Sequence, residues 1–130
     1  MRKVILMMLL AIVSSNAAAE WVLVGSSKDG MTVYADTNRI LKAGNKIKMW
    51  RLFDFNSTQK ANGVSAYMSN MGLDEYDCKE ILSRTIAFYF YSDNMGHGEV
   101  VYSNTDTNKL NPVLPDSIGE TLWKFACKKR

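Results

Sequence analysis

The run Lys46-Ile-Lys-Met-Trp-Arg-Leu-Phe-Asp-Phe55 places apolar residues at alternate positions. A period of two is typical of a β-strand that presents one face to a core. Arg51 interrupts this apolar side, and the turn-forming residues Ala43-Gly44-Asn45 lead into the run. The sequence therefore predicts a long strand whose inner side carries Ile47, Met49, Phe53 and Phe55.

The same alternation recurs elsewhere between clusters of turn-forming residues. Further strands are predicted around 31–35, 64–68, 86–90 and 100–102, and residues 21–24 are a candidate for one more. The segments together predict an antiparallel sheet of about five to six strands.

The end of the chain has the pattern of a helix. Ser117 and Glu120 have the spacing of a capping box, which satisfies free N–H groups at a helix start. The predicted fold class is thus α+β, an antiparallel β-sheet packed by one C-terminal α-helix. Its expected core consists of Val33, Ile47, Met49, Trp50, Phe53, Ile86, Phe88, Phe90, Leu122 and Phe125.

The first residues have the order of a secretory signal peptide. Arg2 and Lys3 precede the apolar run 4–13, and Ala17-Ala18-Ala19 supply a small-residue cleavage site. The run is shorter than the roughly 20 residues that a membrane-spanning helix needs. We expect residues 1–19 to be removed before Glu20, and residues 20–130 to form a single domain. No cysteine directly follows Ala19 to accept a lipid, so we expect a soluble protein in the periplasm or medium, without stable membrane insertion. Association of this exported protein with the cell surface stays open.

The charge balance argues against a nucleic-acid partner. The sequence has 16 Lys and Arg residues against 13 Asp and Glu residues, and removal of Arg2 and Lys3 leaves 14 against 13. Nucleic-acid-binding domains usually concentrate basic residues on one face. An exported, nearly neutral domain does not fit that class.

Two cysteines, Cys78 and Cys127, permit one pairing. Disulfides persist in the oxidising compartments that exported proteins enter. The pair lacks the Cys-x-x-Cys spacing of a redox motif, and two thiolates alone are too few for a structural zinc site. We therefore predict a structural disulfide, which would pin the last turn of the helix to the segment before Ile81.

The remaining motifs do not form a catalytic, metal or cofactor site. His97 lies between two glycines and has no neighbouring nucleophile, so it is predicted to be a turn residue. Gly25 and Gly30 have phosphate-loop spacing, but the required lysine is absent. The acidic cluster lacks the spacing of an EF-hand loop and is predicted to lie in a solvated loop at a strand entrance; it contains Asp74, Glu75, Asp77 and Glu80.

Lys42, Lys46 and Lys48 flank the Gly44 turn and form the candidate binding surface. Lysine side chains at a turn can steer an acidic partner towards the protein. The alternative is that these lysines protect a sheet edge from pairing with other chains.

Several segments in a fixed order resemble the surface-adhesin protein E family. They are Trp50-Arg-Leu-Phe-Asp54, Tyr67-Met-Ser69, Glu75-Tyr-Asp-Cys-Lys79, Tyr91-Ser-Asp-Asn-Met-Gly-His-Gly-Glu-Val100 and Val113-Leu-Pro-Asp-Ser-Ile-Gly-Glu120, followed by Trp123 and Cys127. The resemblance implies a compact sheet-and-helix domain with a Cys78–Cys127 bridge. It also implies adhesion to host matrix proteins such as vitronectin and laminin.

Three classes of function remain open from the sequence. The first is an adhesin-like module for host proteins. The second is a soluble periplasmic interaction or small-ligand-binding protein with no host role, whose partner would be an envelope protein or a small ligand. The third is an enzyme, which the motifs above do not favour. The segments that carry the resemblance are rich in residues that build turns and cores, so they indicate a shared fold and identify no binding residue.

Overall fold

The computed structural model describes residues 20–105 and 109–128, so the predicted signal peptide lies outside the described residues. Within these two ranges, eight strands are followed by one helix, α1, which spans Ile118–Lys128. A short 3₁₀ turn, Asn94–Gly96, precedes the seventh strand. The strands are β1 Trp21–Ser26, β2 Met31–Asp36, β3 Leu41–Ala43, β4 Lys46–Ala61, β5 Val64–Asp77, β6 Leu82–Tyr91, β7 Val100–Thr105 and β8 Asn111–Pro112.

All eight strands belong to one antiparallel sheet, which confirms the predicted α+β class. The central order is β1-β2-β4-β5-β6-β7, while β3 pairs with β4 and β8 pairs with β6. The strand count exceeds the predicted five to six because β3 has three residues and β8 has two. Segments of this length are too short to show an alternating pattern in the sequence.

Strands β4 and β5 form a long hairpin at the centre of the sheet. Strand β2 pairs with β4 only as far as Phe55, and β6 pairs with β5 only from Ser69 onward. Residues 57–66 therefore project beyond their neighbours as a two-stranded arm with Asn62-Gly63 at its tip. Asn-Gly is a strong hairpin signal.

The core lies between helix α1 and one face of the sheet. Of the ten residues predicted for it, Val33, Ile47, Met49 and Leu122 are buried, and the other six are partly buried. The helix begins as predicted, because the Ser117 hydroxyl oxygen accepts a hydrogen bond from the N–H of Glu120 at 3.1 Å. The carboxylate of Glu120 in turn accepts the N–H of Asp116 at 3.0 Å.

The second face of the sheet is also partly covered, by the loop around the 3₁₀ turn. Leu52 is fully buried on this face. Gly96 has a φ of 71°, and a Cβ atom there would lie 2.8 Å from the Met71 methyl carbon. The Asp54 carboxylate accepts the N–H of Met95 at 2.7 Å, which holds the loop down. Trp50 also points away from the helix and is half-buried on this second face, where its ring centre lies 6.3 Å from that of Tyr89.

A disulfide joins Cys78 to Cys127, as predicted, with the two Cα atoms 5.6 Å apart. It links the connection after β5 to the last turn of α1. Two hydrogen bonds support this link: the N–H of Cys78 donates to the Asn45 carbonyl at 2.9 Å, and the Trp123 indole donates to the Asp77 carbonyl at 2.9 Å. The basic turn, the disulfide and the helix end therefore meet at one end of the molecule.

The predicted solvated loop for the acidic cluster is wrong. Asp74, Glu75 and Asp77 are buried in strand β5, and only Glu80 is exposed. Each buried carboxylate has a partner: Glu75 pairs with Arg84 at 2.7 Å, and Asp77 accepts two backbone N–H groups of the following turn. Burial of a carboxylate is tolerated only with such partners.

Candidate binding site

A cleft of about 280 Å³ lies between the first turns of helix α1 and the core-bearing face of the sheet. Ile118, Gly119 and Leu122 line it from the helix. The sheet contributes both apolar and polar side chains, among them Phe53 and Arg51. The cleft thus combines an apolar lining with a buried cation.

Arg51 can lie flat in this cleft because of its neighbour across the strands. It pairs with Gly72 of β5, and a Cβ atom at that glycine would lie 2.5 Å from the guanidinium carbon of Arg51. Any side chain at residue 72 would therefore displace the guanidinium. The guanidinium carbon also stands 4.2 Å from the centre of the Phe53 ring, at cation–π distance.

Arg51 belongs to a hydrogen-bonded network of polar side chains, two of which bond to it directly. We call this network the Arg51 cluster; it consists of Arg51, Asn70, Asp74, Tyr76 and Thr85. The Nε of Arg51 donates to Asp74 Oδ2 at 3.2 Å, and Nη1 donates to Asn70 Oδ1 at 3.0 Å. Asp74 also accepts the Tyr76 hydroxyl at 3.0 Å and the Thr85 hydroxyl at 2.8 Å. The Asp74 carboxylate therefore compensates the charge of Arg51 while the hydroxyls of Tyr76 and Thr85 hold it in place.

Tyr76 remains a donor within this cluster. Burial raises the pKa of the Tyr76 hydroxyl well above its ordinary value of 10.0, the Asp74 carboxylate adds to the rise, and Arg51 opposes it. The hydroxyl therefore keeps its proton at neutral pH and donates it to Asp74.

Beyond the cleft, the same face of the sheet continues as an aromatic shelf. Its rings contact one another at centroid distances between 4.3 and 6.0 Å. Most of these side chains are partly buried, and Tyr102 is exposed over 37% of its surface. The shelf consists of Phe55, Tyr67, Phe88, Phe90 and Tyr102.

The predicted lysine surface lies on the β3–β4 hairpin, outside the cleft. Lys42 and Lys46 are exposed and Lys48 is half-buried. Lys46 stands opposite Asp77 and Lys48 opposite Glu75, so these two lysines share one face of the sheet. Lys42 pairs with Ile47 and therefore points to the other face. The structure brings Lys46 and Lys48 together, with Lys42 on the reverse side of the same turn.

His97 lies in the exposed loop after the 3₁₀ turn, as predicted. Its N–H donates to the Asn94 carbonyl at 3.1 Å, so its backbone closes the turn. Among the described residues, no helix is long and apolar enough to cross a membrane.

The family model for surface-adhesin protein E matches residues 21–128. The chain belongs to the surface-adhesin protein E family. This match confirms the resemblance drawn from the sequence, and it supports an adhesin-like protein. A search of curated proteins finds no match.

Among solved structures, this family member is similar to Haemophilus influenzae protein E in its crystal form II. The TM-score is 0.58 at 11% sequence identity, and the alignment covers 75% of this chain and 80% of the other. At this identity the likeness supports a shared fold alone.

Sequence reasoning did not identify the Arg51 cluster as a site in this member of the protein E family. Two signals point to it in retrospect: a cation on the apolar side of a strand, and a glycine in the strand that pairs with it. In the sequence, Arg51 only interrupts the apolar side of β4. Its partner Asp74 lies on β5, and Thr85, which binds Asp74, lies on β6.

Proposed function

We propose that this chain is an exported, non-enzymatic binding protein of the adhesin type that attaches to host extracellular-matrix proteins such as vitronectin or laminin. The match of residues 21–128 to the surface-adhesin family model carries the proposal. Cleavage of the signal at residues 1–19 would release residues 20–130 as a single disulfide-linked domain. Binding, unlike catalysis, requires only a complementary surface.

The contact surface in this proposal is the basic hairpin, residues 41–48. Its tip is open, since a Cβ atom at Gly44 would meet no other atom within 4 Å. On one face, Lys46 and Lys48 together with Arg84 outnumber the two carboxylates of Glu75 and Asp77, and Lys42 adds a positive charge on the reverse side of the turn. The hairpin therefore keeps a positive balance that suits an acidic partner.

Edge protection is a weaker explanation for two of these lysines. Strand β3 is an edge, so Lys42 fits that role. Strand β4 is paired on both sides at Lys46 and Lys48, with β3 on one side and β5 on the other. Neither of the two needs to guard an unpaired backbone.

Neutralising the three lysines is expected to weaken capture of immobilised vitronectin or laminin about tenfold. Exposed charge contacts contribute about 0.5 kcal/mol each, and three of them correspond to roughly one decade in affinity. Glutamine is the appropriate replacement, because glutamate would place like charges opposite Asp77 and Glu75 and destabilise the sheet. Surface plasmon resonance with the Lys42→Gln/Lys46→Gln/Lys48→Gln variant measures the effect.

The matched control changes three exposed lysines elsewhere, Lys28, Lys60 and Lys109, to glutamine. It has the same net charge as the test variant, so non-specific electrostatics affect both equally. The proposal predicts that the control variant captures vitronectin or laminin as well as the wild type does. Capture by both proteins should weaken as salt is added. Equal losses in both variants would contradict a specific contact at the hairpin.

A second candidate is a soluble periplasmic interaction or small-ligand-binding protein with no role in host adhesion. The cleft beside helix α1 favours it, since ligand sites are typically concave and mostly apolar with a few well-placed polar groups. The two candidates use different surfaces of the molecule and are therefore separable by variants.

A further inference from the structure

We propose that the cleft beside helix α1 binds a small organic carboxylate with an apolar body, and that Arg51 is the residue which contacts the carboxylate. This inference deepens the small-ligand candidate above and rests on it. It does not depend on the partner of the basic hairpin.

Arg51 has a side-chain donor that the described residues leave unused. The residue is only 5% exposed, and its Nε and Nη1 are bonded to Asp74 and Asn70. Its Nη2 has no hydrogen-bond partner among the described residues. Among the described residues, no side-chain nitrogen or oxygen that is closed off from solvent lacks a hydrogen-bond partner. Nη2 must therefore reach the open space of the cleft, where an acceptor can bind it.

The start of helix α1 forms the opposite wall of the cleft. Gly119 lines the cleft at the second residue of α1, an eleven-residue helix. The hydroxyl of Ser117 takes the N–H of Glu120, which leaves the N–H of Gly119 without a partner among the described residues. Free N–H groups and the positive end of the helix dipole favour an anion at this position.

The two remaining donors, Arg51 Nη2 and the N–H of Gly119, form their strongest hydrogen bonds with a charged acceptor. A guanidinium group carries a positive charge in proteins, and Asp74 contacts that of Arg51 at Nε, at 3.2 Å. Within the described residues, the side-chain donors to the Asp74 carboxylate come from Arg51, Tyr76 and Thr85, and none comes from the helix start. A ligand carboxylate has two oxygens, one for each remaining donor, and charge-assisted hydrogen bonds are the stronger kind.

The rest of the lining defines the body of the ligand. Met31, Phe53, Ile118 and Leu122 present apolar surface to the cleft. A volume of about 280 Å³ is near the lower end of ligand pockets and corresponds to about nine water molecules. A monocarboxylate of about ten non-hydrogen atoms, such as an arylacetate, fits that space. Either a free acid or the last residue of a peptide would present the same chemistry.

The test titrates the full mature domain with three probes and follows backbone amide shifts by NMR. Phenylacetate represents the free acid, phenylacetamide is its neutral isostere, and N-acetyl-phenylalanine represents a peptide C-terminus. We expect saturable binding of an acid with a Kd of about 1 mM or tighter, centred on Gly119 and Thr85. The amide should bind at least tenfold more weakly. The acid that binds more tightly shows whether the carboxylate belongs to a free acid or to the last residue of a peptide.

A cleft-filling variant locates the site without touching the Arg51 cluster. Ile118→Trp places an indole at the mouth of the cleft, and Leu41→Trp adds the same side chain at a position that is 65% exposed on the basic hairpin. We expect Ile118→Trp to lower phenylacetate affinity more than tenfold and to leave matrix capture unchanged. Leu41→Trp should leave phenylacetate binding unchanged.

Three results would overturn the inference. Absence of saturable binding by either acid would reject the small-ligand candidate altogether. Equal affinity for phenylacetate and phenylacetamide would keep a ligand cleft but reject carboxylate recognition by Arg51. Unchanged acid binding in a folded Ile118→Trp protein would place the ligand outside the cleft. Matrix capture measured on the same samples reports separately on the adhesin proposal.

Discussion

Replacing Cys78 and Cys127 together with alanine is expected to lower the free energy of unfolding by about 4 kcal/mol. The two residues are 49 positions apart, and cross-linking a loop of this length removes about that much conformational freedom from the unfolded chain. The bond also holds the last turn of helix α1 on the sheet, so its loss should loosen the helix before the strands. Urea denaturation at constant pH measures the change.

Reduction of the wild-type protein is the matched control for this experiment. It breaks the bond but keeps both sulfur atoms, so it separates the cross-link from the lost side-chain volume at Cys127, which is 7% exposed. Reductant should destabilise the wild type and have no effect on the double alanine variant. A difference below about 1 kcal/mol between oxidised and reduced wild type would contradict a stabilising role.

Asp74→Asn is expected to lower the free energy of unfolding by about 3 kcal/mol or more. Asp74 is the only anion paired with Arg51 among the described residues, and it also accepts the hydroxyls of Tyr76 and Thr85. Asparagine has nearly the same size but no charge, so Arg51 would remain buried without a counter-ion. Removing one partner of a buried ion pair typically costs about 3 to 5 kcal/mol.

Two further variants separate the charge effect from the loss of hydrogen bonds. Thr85→Val removes one neutral donor from the same carboxylate and should cost about 1 kcal/mol. Arg51→Met combined with Asp74→Leu removes both charges, and this pair should cost less than the two single changes added together. Additive losses, or a change below about 1 kcal/mol for Asp74→Asn, would show that Arg51 does not depend on Asp74.

The elements with long, regular patterns were predictable because a single segment carries the whole signal. Alternation identified β4, and the spacing of Ser117 and Glu120 identified the helix start that the structure confirms. The disulfide could be predicted without knowledge of the fold, since two cysteines permit only one pairing. These features depend on neighbours in the chain.

The buried charges were not predictable in the same way, because their partners are supplied by other strands. Glu75 lies opposite Arg84 on β6, and Arg51 lies opposite Gly72 on β5. Three carboxylates within one short segment resemble a solvated loop until the register of the sheet is known. Pairing across strands turns the same residues into a buried, hydrogen-bonded network.

The predicted core includes residues at one end of the sheet that helix α1 is too short to cover. Helix α1 has 11 residues and is about 16 Å long, while the 16 residues of β4 extend over about 50 Å. The helix therefore covers only the end that carries Ile47 and Met49. Phe88 and Phe90 lie beyond its reach and pack on the other rings of the aromatic shelf.

Exposure to reagents outside the cell tests the adhesin proposal most directly, because an adhesin must be reachable from the medium. Intact cells that produce the chain would be treated with a membrane-impermeant amine-reactive biotin, for which Lys42, Lys46 and Lys60 offer exposed targets. The proposal predicts biotinylated protein from intact cells at a level similar to that from cells whose outer membrane has been opened. Labelling only after the outer membrane is opened would contradict it and favour the periplasmic small-ligand-binding candidate.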